Sequence, residues 1–219
     1  MNKRRNPSPI EPRKAPKQER SRKTYQDILQ GATRLIQRDG IQKLSTNKVA
    51  EESGVSIGSL YQYFPSKQAI IAALIDHIFE VEYHHLKESL EATSPGVGAR
   101  RVIKDVLSFY FKRDSDDRGY RRALIDAVTS LDATPEALRF QRAVGEVFVH
   151  YLTTHYPPQD GGVDAETTQF FVQYMMRTVV LSSLDEDIAV IDKDLLIAEL
   201  CESLMNFLKI PDRYREGFS

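Results

Sequence analysis

The segment between residues 40 and 67 constrains the fold more than any other part of the chain. Gly54 stands where a short helix stops, and Ser45 and Ser56 have the side chains preferred at helix N-caps. The intervals between these residues leave room for helices of about two turns each. The spacing therefore predicts two short helices joined by a tight turn that contains glycine.

Helical periodicity extends along the rest of the chain. From Tyr25, apolar residues recur three or four positions apart as far as Gly40, where a first helix is expected to end. Ile41 and Leu44 are expected to fill the connection to the second helix. A long helix follows Ser66, and further helices are predicted at residues 99–113, 118–130, 135–156, 164–184 and 192–209. The connections carry turn signals rather than strand patterns, so the chain is predicted to be all-α.

Charge is distributed unevenly along the chain. Residues 1–70 carry 14 Lys and Arg against six Asp and Glu, whereas the remainder carries 16 against 25. Residues 1–23 contain four prolines and nine basic side chains and are predicted to be a disordered basic arm. A basic end on an acidic body indicates a polyanionic partner for that end, and a solvated tail is the alternative. Deletion of an arm that binds such a partner through charge alone would weaken binding without regard to the partner's sequence.

The predicted third helix separates into two faces when residues 56–64 are placed at 100° per residue. Its inner side carries Leu60 and Phe64, which are four positions apart. Its outer side has no carboxylate and offers hydroxyl, amide and aromatic groups, which suit base edges and phosphates. The residues on or beside this outer side are Gly58, Ser59, Tyr61 and Gln62, with Ile57 and Tyr63 at its margins. Three short helices that end in such a helix predict a helix-turn-helix DNA-binding domain.

Two residues of this segment are unfavourable unless a nucleic acid is bound. Gly58 costs a helix up to about 1 kcal/mol relative to Ala, and close approach to DNA would explain its presence. Lys67 lies in the first turn of the fourth helix, where a cation opposes the helix dipole unless a phosphate binds there. A tolerated glycine and a solvated lysine are the alternatives. The start of the second helix carries Ser45, Thr46 and Lys48. These residues are predicted to contact the DNA backbone on the opposite side of the groove that the third helix would enter.

The run STNKVAEESGVSIGSLYQYFPSKQAI resembles the signature of the TetR family of bacterial transcriptional regulators. The resemblance covers residues 25–75, about a quarter of the chain. It rests on a hydroxyl pair before Val49-Ala50, then Gly54-Val55-Ser56, Leu60-Tyr61, Phe64 and Ser66-Lys67. The resemblance implies a helix-turn-helix DNA-binding domain at residues 24–70, linked to a larger helical bundle for ligand binding and dimerisation at residues 71–219.

The resemblance also implies roles for single residues. Phosphate contacts are implied for Thr46, Tyr61, Tyr63 and Lys67. Gln62 is the first choice for reading a base, because an amide can pair with both N6 and N7 of adenine. Ile57 either contacts a thymine methyl or packs beside Leu60. Asn47 occupies a position that reaches a base in some relatives. Gly58 and Ser59 lie on the same side of the third helix, which would face the bases.

The last two predicted helices carry more apolar surface than a peripheral helix pair needs. In the resembled family these helices pair with their symmetry mates in a four-helix bundle. This arrangement implies a homodimer on a palindromic operator. The two copies of the third helix, which read the bases and are called the reading helices, would lie about 34 Å apart. Filling of the monomer's own core is the alternative. The candidate interface residues are Phe170, Phe171, Leu196, Leu200, Leu204 and Phe207.

A small-molecule effector, if one regulates DNA binding, is expected in a cavity between the middle helices. It would act by binding more tightly to a conformation in which the spacing of the reading helices is altered. The long helix from Lys67 to Leu90 spans both predicted regions, so a change in its tilt is expected to transmit that conformational change. The candidate lining residues are Phe109, Tyr110, Arg113, His150, Tyr151, Tyr174 and Met175.

No catalytic, cofactor or metal site is predicted. His77, His84 and His85 lie near glutamates on one helix, but a solvated surface explains them better than a metal site without a third convergent ligand. Cys201 lies among leucines, which favours an inert core thiol over a redox sensor. No apolar run approaches the ~18 residues of a membrane span, and the N-terminus lacks the apolar stretch of a secretory signal. A cytoplasmic protein is therefore expected.

These observations predict a ligand-responsive transcriptional repressor that binds double-stranded DNA. Two alternatives belong to other classes of function. One is a DNA-binding structural or cell-division factor that uses the same DNA-binding domain without controlling a promoter. The other is a small helical enzyme.

Overall fold

The structure, a computed structural model, describes residues 19–111, 115–130, 134–159, 162–183 and 191–216. Within these ranges the regular elements are α-helices and a 3-10 turn at Ile41–Lys43, without a strand, so the all-α prediction is confirmed. The helices are α1 Glu19–Asp39, α2 Thr46–Glu52, α3 Ile57–Tyr63, α4 Lys67–Glu91, α5 Ala99–Phe111, α6 Ser115–Ser130, α7 Thr134–His155, α8 Ala165–Ser183, α9 Lys193–Phe207 and α10 Asp212–Arg215. Residues 1–18 of the predicted arm, and Arg113, lie outside the described residues.

The chain divides into two compact units. The first contains residues 1–79 and 115–137, and the second contains residues 80–114 and 138–219. The sequence places the boundary at residue 70 and everything after it in one domain, whereas the first unit reaches Phe79 and includes α6. Periodicity along α6 shows which of its faces is apolar. It does not show which helix covers that face.

Contacts with α1 hold α6 in the first unit. The hydroxyls of Thr33 on α1 and Tyr120 on α6 are hydrogen-bonded at 3.2 Å. Leu124 and Ala127 extend the same buried face of α6. They join a core filled by Ile28, Leu35, Leu60, Phe64, Ile70 and Leu74.

The first two helices are held together by a close approach and by ion pairs. Gly31 of α1 faces Ser53, and a Cβ at this glycine would clash with the serine. Arg34 and Arg38 bind the carboxylate of Glu52 at 2.9 Å and 3.1 Å. The hydrogen bond from Arg34, followed by that from Arg38, holds the pKa of Glu52 below its ordinary value. The carboxylate of Glu52 is thereby engaged by α1.

Helix α1 begins at Glu19, so the predicted disordered arm overlaps the first turn of a helix. In this turn the hydroxyl of Ser21 is hydrogen-bonded to the hydroxyl of Tyr63, 3.0 Å away. The turn carries no apolar periodicity, because the contact that fixes it is polar. The prediction that residues 19–23 are disordered is therefore wrong.

The second unit is built around α5, α8 and α9. Its buried side chains include Ile103 and Leu107 of α5, Val172 of α8 and Ile197 of α9, and α7 adds Phe148. Cys201 also lies in this core with 1% of its surface exposed. Burial raises the pKa of the Cys201 thiol, as expected for a core thiol rather than a reactive one.

The short helix α10 is held to α5 and α9 of the second unit by ion pairs and hydrogen bonds of the residues in and beside it. Arg100 of α5 pairs with Glu202 of α9 and, at 2.6 Å, with Glu216 just after α10. Arg215 donates hydrogen bonds to the Asn206 amide oxygen at 2.9 Å and to the Ile210 carbonyl at 3.0 Å. The sequence does not predict α10, because four residues are too few to show a helical period.

No helix within the described residues is both long and apolar enough to cross a lipid bilayer. In the same residues, no three His, Cys, Asp or Glu side chains are grouped as a metal site would require.

Candidate nucleic-acid interface

The N-terminus of α2 presents four polar side chains. Ser45 is the N-cap, and its hydroxyl accepts a hydrogen bond from the backbone amide of Lys48 at 3.4 Å. Thr46 is half-buried, whereas Asn47 and Lys48 are exposed. The structure therefore brings these four predicted residues together at one end of a single helix.

A glycine in the left-handed backbone conformation makes the turn between α2 and α3. Gly54 has φ of +67°, a conformation that costs other L-residues roughly 1–2 kcal/mol. The amide of Val55 donates to the carbonyl of Ala50 at 3.0 Å. The Ser56 hydroxyl then caps α3 by accepting from the amide of Ser59 at 3.1 Å. The predicted turn glycine and both predicted caps are confirmed, and together they fix where α3 begins.

Helix α3 is anchored by one face and exposed on the other. Leu60 and Phe64 are fully buried, in agreement with the predicted inner side. Ile57 is 39% exposed, which favours an outward role over packing beside Leu60. The other exposed residues of α3 are Gly58, Tyr61 and Gln62, while Ser59 is half-buried. The exposed face contains no carboxylate, so it does not repel phosphates.

A hydrogen bond joins the two short helices on this exposed side. The hydroxyls of Thr46 on α2 and Tyr61 on α3 lie 3.1 Å apart. The implied phosphate contacts from these two residues therefore involve neighbouring groups. A single phosphate oxygen placed between them would be within reach of both hydroxyls.

Tyr63 lies apart from the other predicted contact residues. It is 8% exposed, and its hydroxyl is bound to Ser21. Its ring packs edge-on against Tyr25, whose ring in turn lies 5.0 Å from that of Phe64. Tyr63 therefore belongs to the packing that holds the start of α1 against α3, and the exposed face depends on Tyr61 instead.

Lys67 opens α4 at the end of the segment. The Ser66 hydroxyl caps this helix by accepting from the amide of Ala69 at 3.1 Å, as predicted. The first turn of α4 contains no acidic residue, and Lys67 is half-buried there. The dipole of a 25-residue helix and the ammonium group thus act on the same region, and both favour an anion.

The environment of Gly58 gives no reason inside the protein for a glycine. A Cβ built on this residue would meet only the Ser56 hydroxyl, 4.0 Å away. Its φ is not in the left-handed region, so the backbone does not require glycine either. The missing side chain leaves room outside the protein, on the face shared with Gln62.

The predicted effector residues are only partly brought together. A cavity of about 570 Å³ in the second unit is lined by α4, α5 and the turn between them, and Phe109 and Tyr110 border it. Tyr151 stacks on His155 at 4.2 Å, and Tyr174 packs on Phe170 at 4.4 Å. The predicted residues absent from the lining are His150, Tyr151, Tyr174 and Met175. The aromatic residues of α7 and α8 suggested an effector site, but their rings pack on each other and do not line the cavity.

The predicted interface residues divide between core and surface. Leu204 is fully buried within the chain, so its assignment to an interface is wrong. Phe171 and Phe207 stack on each other at 3.8 Å and are half-buried, as are Leu196 and Leu200. Phe170 is 61% exposed. Apolar residues recur on several sides of α9, and their period does not tell an inward leucine from an outward one.

Some exposed apolar residues and some residues of the cavity lining are not among the predicted ones. Leu195 and Ile191 are 59% and 48% exposed, and Tyr174, assigned to the effector, is 43% exposed beside Phe170. Arg101 and Asp105 also line the cavity, although the sequence does not predict it. Their opposite charges four positions apart on one helix predict an ion pair but not a cavity.

Two capped short helices, a left-handed turn glycine and an acid-free exposed face define a helix-turn-helix DNA-binding protein. Residues 28–74 match the family model described as "Bacterial regulatory proteins, tetR family". This match covers the helix-turn-helix region and agrees with the sequence resemblance to TetR-family regulators.

Individual relatives match parts of the chain. The HTH-type transcriptional regulator LmrA of Bacillus subtilis (strain 168) is 34% identical over 110 residues, which cover 49% of this chain and 58% of LmrA. The nucleoid occlusion factor SlmA of Actinobacillus pleuropneumoniae serotype 5b (strain L20) is 50% identical over 40 residues, 18% of this chain and 20% of that protein. The chain thus spans little more than half of LmrA's length.

Similarity of fold extends over both units. The fatty acid degradation regulator FadR from Bacillus halodurans aligns with a TM-score of 0.61 over 86% of this chain and 97% of its own, at 18% identity. At this level of identity the comparison concerns the fold alone. It shows that the helical second unit, like the first, follows an architecture found in a solved regulator.

Proposed function

We propose that the chain is a homodimeric transcriptional repressor that binds a palindromic operator in double-stranded DNA and leaves it when a small molecule binds. The proposal is carried by the exposed face of α3. This face presents Gln62, Tyr61 and the bare backbone of Gly58 without a carboxylate, and Lys67 follows at the start of α4.

The dimensions of α3 suit a major groove. Seven residues of α-helix are about 10 Å long, and the groove of B-DNA is about 12 Å wide. With α3 in the groove, Gln62 pairs with a base edge while Gly58 allows the helix backbone to approach. Thr46 and Tyr61 bind phosphate on one side, and Lys67 binds phosphate on the other.

A dimer is supported by apolar side chains that the second unit leaves exposed. Phe170 and Tyr174 of α8 and Leu195 of α9 are each more than 40% exposed. Isolated apolar residues are ordinary on a surface, but three large ones on two helices that also share the Phe171–Phe207 stack favour a partner. A two-fold dimer presents two copies of α3, which is why a palindromic operator follows.

Release by a small molecule is supported by the cavity between α4 and α5. Its volume of about 570 Å³ lies in the range of small-molecule sites. A molecule that favours a DNA-incompetent conformation by about 1 to 3 kcal/mol would lower operator affinity 5- to 150-fold.

One alternative function has support of its own. The 50% identity with SlmA over 40 residues favours a nucleoid occlusion factor that uses the same DNA-binding domain. The LmrA match is longer and favours a promoter-specific regulator. The two functions differ in where the protein binds on the chromosome, because a regulator occupies sites beside promoters and an occlusion factor occupies many dispersed sites.

The deciding experiment is selection of bound fragments from genomic DNA, followed by binding measurements on the selected site. Gln62→Ala and Lys67→Ala proteins should bind that site more weakly, and only Lys67→Ala should lower the dependence on salt. Val81→Ala, which changes another exposed side chain of α4, serves as the control. Wild-type affinity in both variants, with fold and oligomeric state intact, would contradict the proposal.

A further inference from the structure

We propose that the cavity between α4 and α5 binds an uncharged, ring-containing molecule, and that this molecule is the effector of DNA release. The second half of this inference rests on the proposed function. The first half stands on the chemistry of the cavity and is tested separately.

The floor of the cavity is apolar. Leu86 and Leu90 of α4 and Val102 and Val106 of α5 line it, and each is no more than 6% exposed. An apolar ligand that covers these side chains removes their remaining surface, and its own, from water. The body of the ligand is therefore apolar.

One wall of the cavity is aromatic. The rings of His85 on α4 and Phe109 on α5 are stacked, with centroids 4.0 Å apart and planes inclined by 23°. Both residues line the cavity, and Tyr110 beside them packs edge-on against Phe109 at 5.2 Å. A flat ring continues such a stack better than a flexible chain does, because it gains ring contacts and loses less conformational freedom.

The charges at the cavity are balanced. Arg101 and Asp105 are the residues of formal charge in the lining, and they bind each other at 2.7 Å on the exposed side. This hydrogen bond raises the pKa of Arg101, and the positive charge of the arginine is matched by the aspartate. An anion or a cation would have to compete with the Arg101–Asp105 pair, whereas an uncharged ligand leaves this pair intact.

The cavity lining also contains polar groups that could orient an uncharged ligand. Ser89 and Thr93 line the cavity from α4 and the turn after it. The Thr93 hydroxyl donates to the Ser89 carbonyl at 3.0 Å and retains lone pairs that can accept a hydrogen bond. A hydroxyl or amine on the ligand is therefore the polar group that the site accepts.

The test uses two fluorescent probes with the same ring system. N-phenyl-1-naphthylamine is uncharged, and 8-anilino-1-naphthalenesulfonate carries a sulfonate. The neutral probe should bind saturably and at least about tenfold more tightly than the sulfonate, because the sulfonate would lose water beside an engaged arginine. Equal or tighter binding of the sulfonate would overturn the proposal.

Variants locate the binding site. Ser89→Phe fills the cavity and should abolish binding of the neutral probe, whereas Glu88→Phe, on the neighbouring exposed position, should not. Asp105→Asn removes the partner of Arg101 and should strengthen binding of the sulfonate about tenfold, with little change for the neutral probe. Neutral-probe binding that survives Ser89→Phe in a folded protein would place the site elsewhere and defeat the inference.

A final measurement separates this inference from the proposed function. Operator affinity is measured by anisotropy with and without the neutral probe, and the probe should weaken it in wild type but not in Ser89→Phe. A protein that binds the probe in the cavity but binds no DNA would contradict the proposed function and leave the cavity assignment standing. Unchanged operator affinity at saturating probe would overturn the effector role.

Discussion

The hydroxyls of Thr46 and Tyr61 are hydrogen-bonded at 3.1 Å, which links the first residue of α2 to the exposed face of α3. Both residues were predicted to contact phosphate, and the bond between them sets the direction in which the tyrosine hydroxyl points. The two helices therefore present one shared polar group to a ligand rather than two independent ones.

Replacing either partner should weaken DNA binding through the same contact. Thr46→Val and Tyr61→Phe should each lower operator affinity about three- to tenfold, the loss expected from one hydrogen bond. The double variant should lose less than the sum of the two free-energy changes, because the hydroxyls act together. Binding titrations of all four proteins give the coupling, with Thr153→Val on α7 as a control. Strict additivity would show that the hydroxyls act separately.

Gly58→Ala should separate stability from recognition. The added methyl meets only the Ser56 hydroxyl at 4.0 Å, so the variant should gain up to about 1 kcal/mol of unfolding free energy. Its operator affinity should nevertheless fall by at least about tenfold, because the methyl stands where the groove wall approaches. Gly119→Ala on α6, where a Cβ meets nothing within 4 Å, provides a matched control with unchanged DNA binding. Urea denaturation and operator binding measure the two effects, and undiminished affinity in Gly58→Ala would show that the groove needs no bare backbone there.

Tyr63→Phe tests whether Tyr63 acts through packing. Removing its hydroxyl, or that of Ser21, should lower the unfolding free energy by about 1 kcal/mol, and the double variant should be no less stable than either single one. Effects on operator affinity should be equal in Tyr63→Phe and Ser21→Ala. A larger loss of operator affinity in Tyr63→Phe than in Ser21→Ala, with a salt slope reduced by about 0.9, would show that the Tyr63 hydroxyl contacts a phosphate despite its burial.

Glu52 should make stability depend on acid pH. Its pKa is lowered in the folded protein, first by the hydrogen bond from Arg34, so it contributes stability above its ordinary pKa of 4.5. That contribution should be lost as the pH falls from 4.5 through the lower folded-state value. Thermal unfolding of wild type and Glu52→Gln should differ most near neutral pH and converge in strong acid. A difference that does not change with pH would show that these ion pairs add no stability.

Leu195 and Leu204 should respond differently to substitution. Leu195→Glu places a charge on a side chain that is 59% exposed and should yield folded monomers of lower operator affinity. Leu204→Ala removes a fully buried side chain and should cost about 2–5 kcal/mol of unfolding free energy. Sedimentation and denaturation distinguish these results, and Val81→Glu controls for adding a charge elsewhere. A Leu195→Glu protein that remains dimeric would remove α9 from the interface.

The sequence predicts the first unit well because local chemistry decides its helix ends. Ser45, Gly54 and Ser56 each specify a cap or a turn without help from distant residues. The outer face of α3 follows from the same ends once the 100° period is applied. Only Tyr63 departs from the predicted surface, since its partner Ser21 lies 42 positions earlier in the chain.

The position of α6 in the first unit and the packing of the second unit are less predictable, because their contacts join distant residues. The placement of α6 depends on Thr33 and Tyr120, and the cavity wall depends on His85 meeting Phe109. Neither pairing has a local signature. Leu204 shows the same limit on a single helix, because its neighbours on α9 are also apolar and only tertiary packing decides which of them is covered.

The caps that delimit α3 have a consequence for engineering the protein. Ser56 fixes its start and Leu60 and Phe64 fix its rotation, while positions 57, 58 and 62 point outward and are exposed. Those three outward positions can be randomised together without disturbing the buried side of the helix. A library built on them would be expected to yield folded variants with altered operator preference, which makes this scaffold suitable for programmable genetic switches.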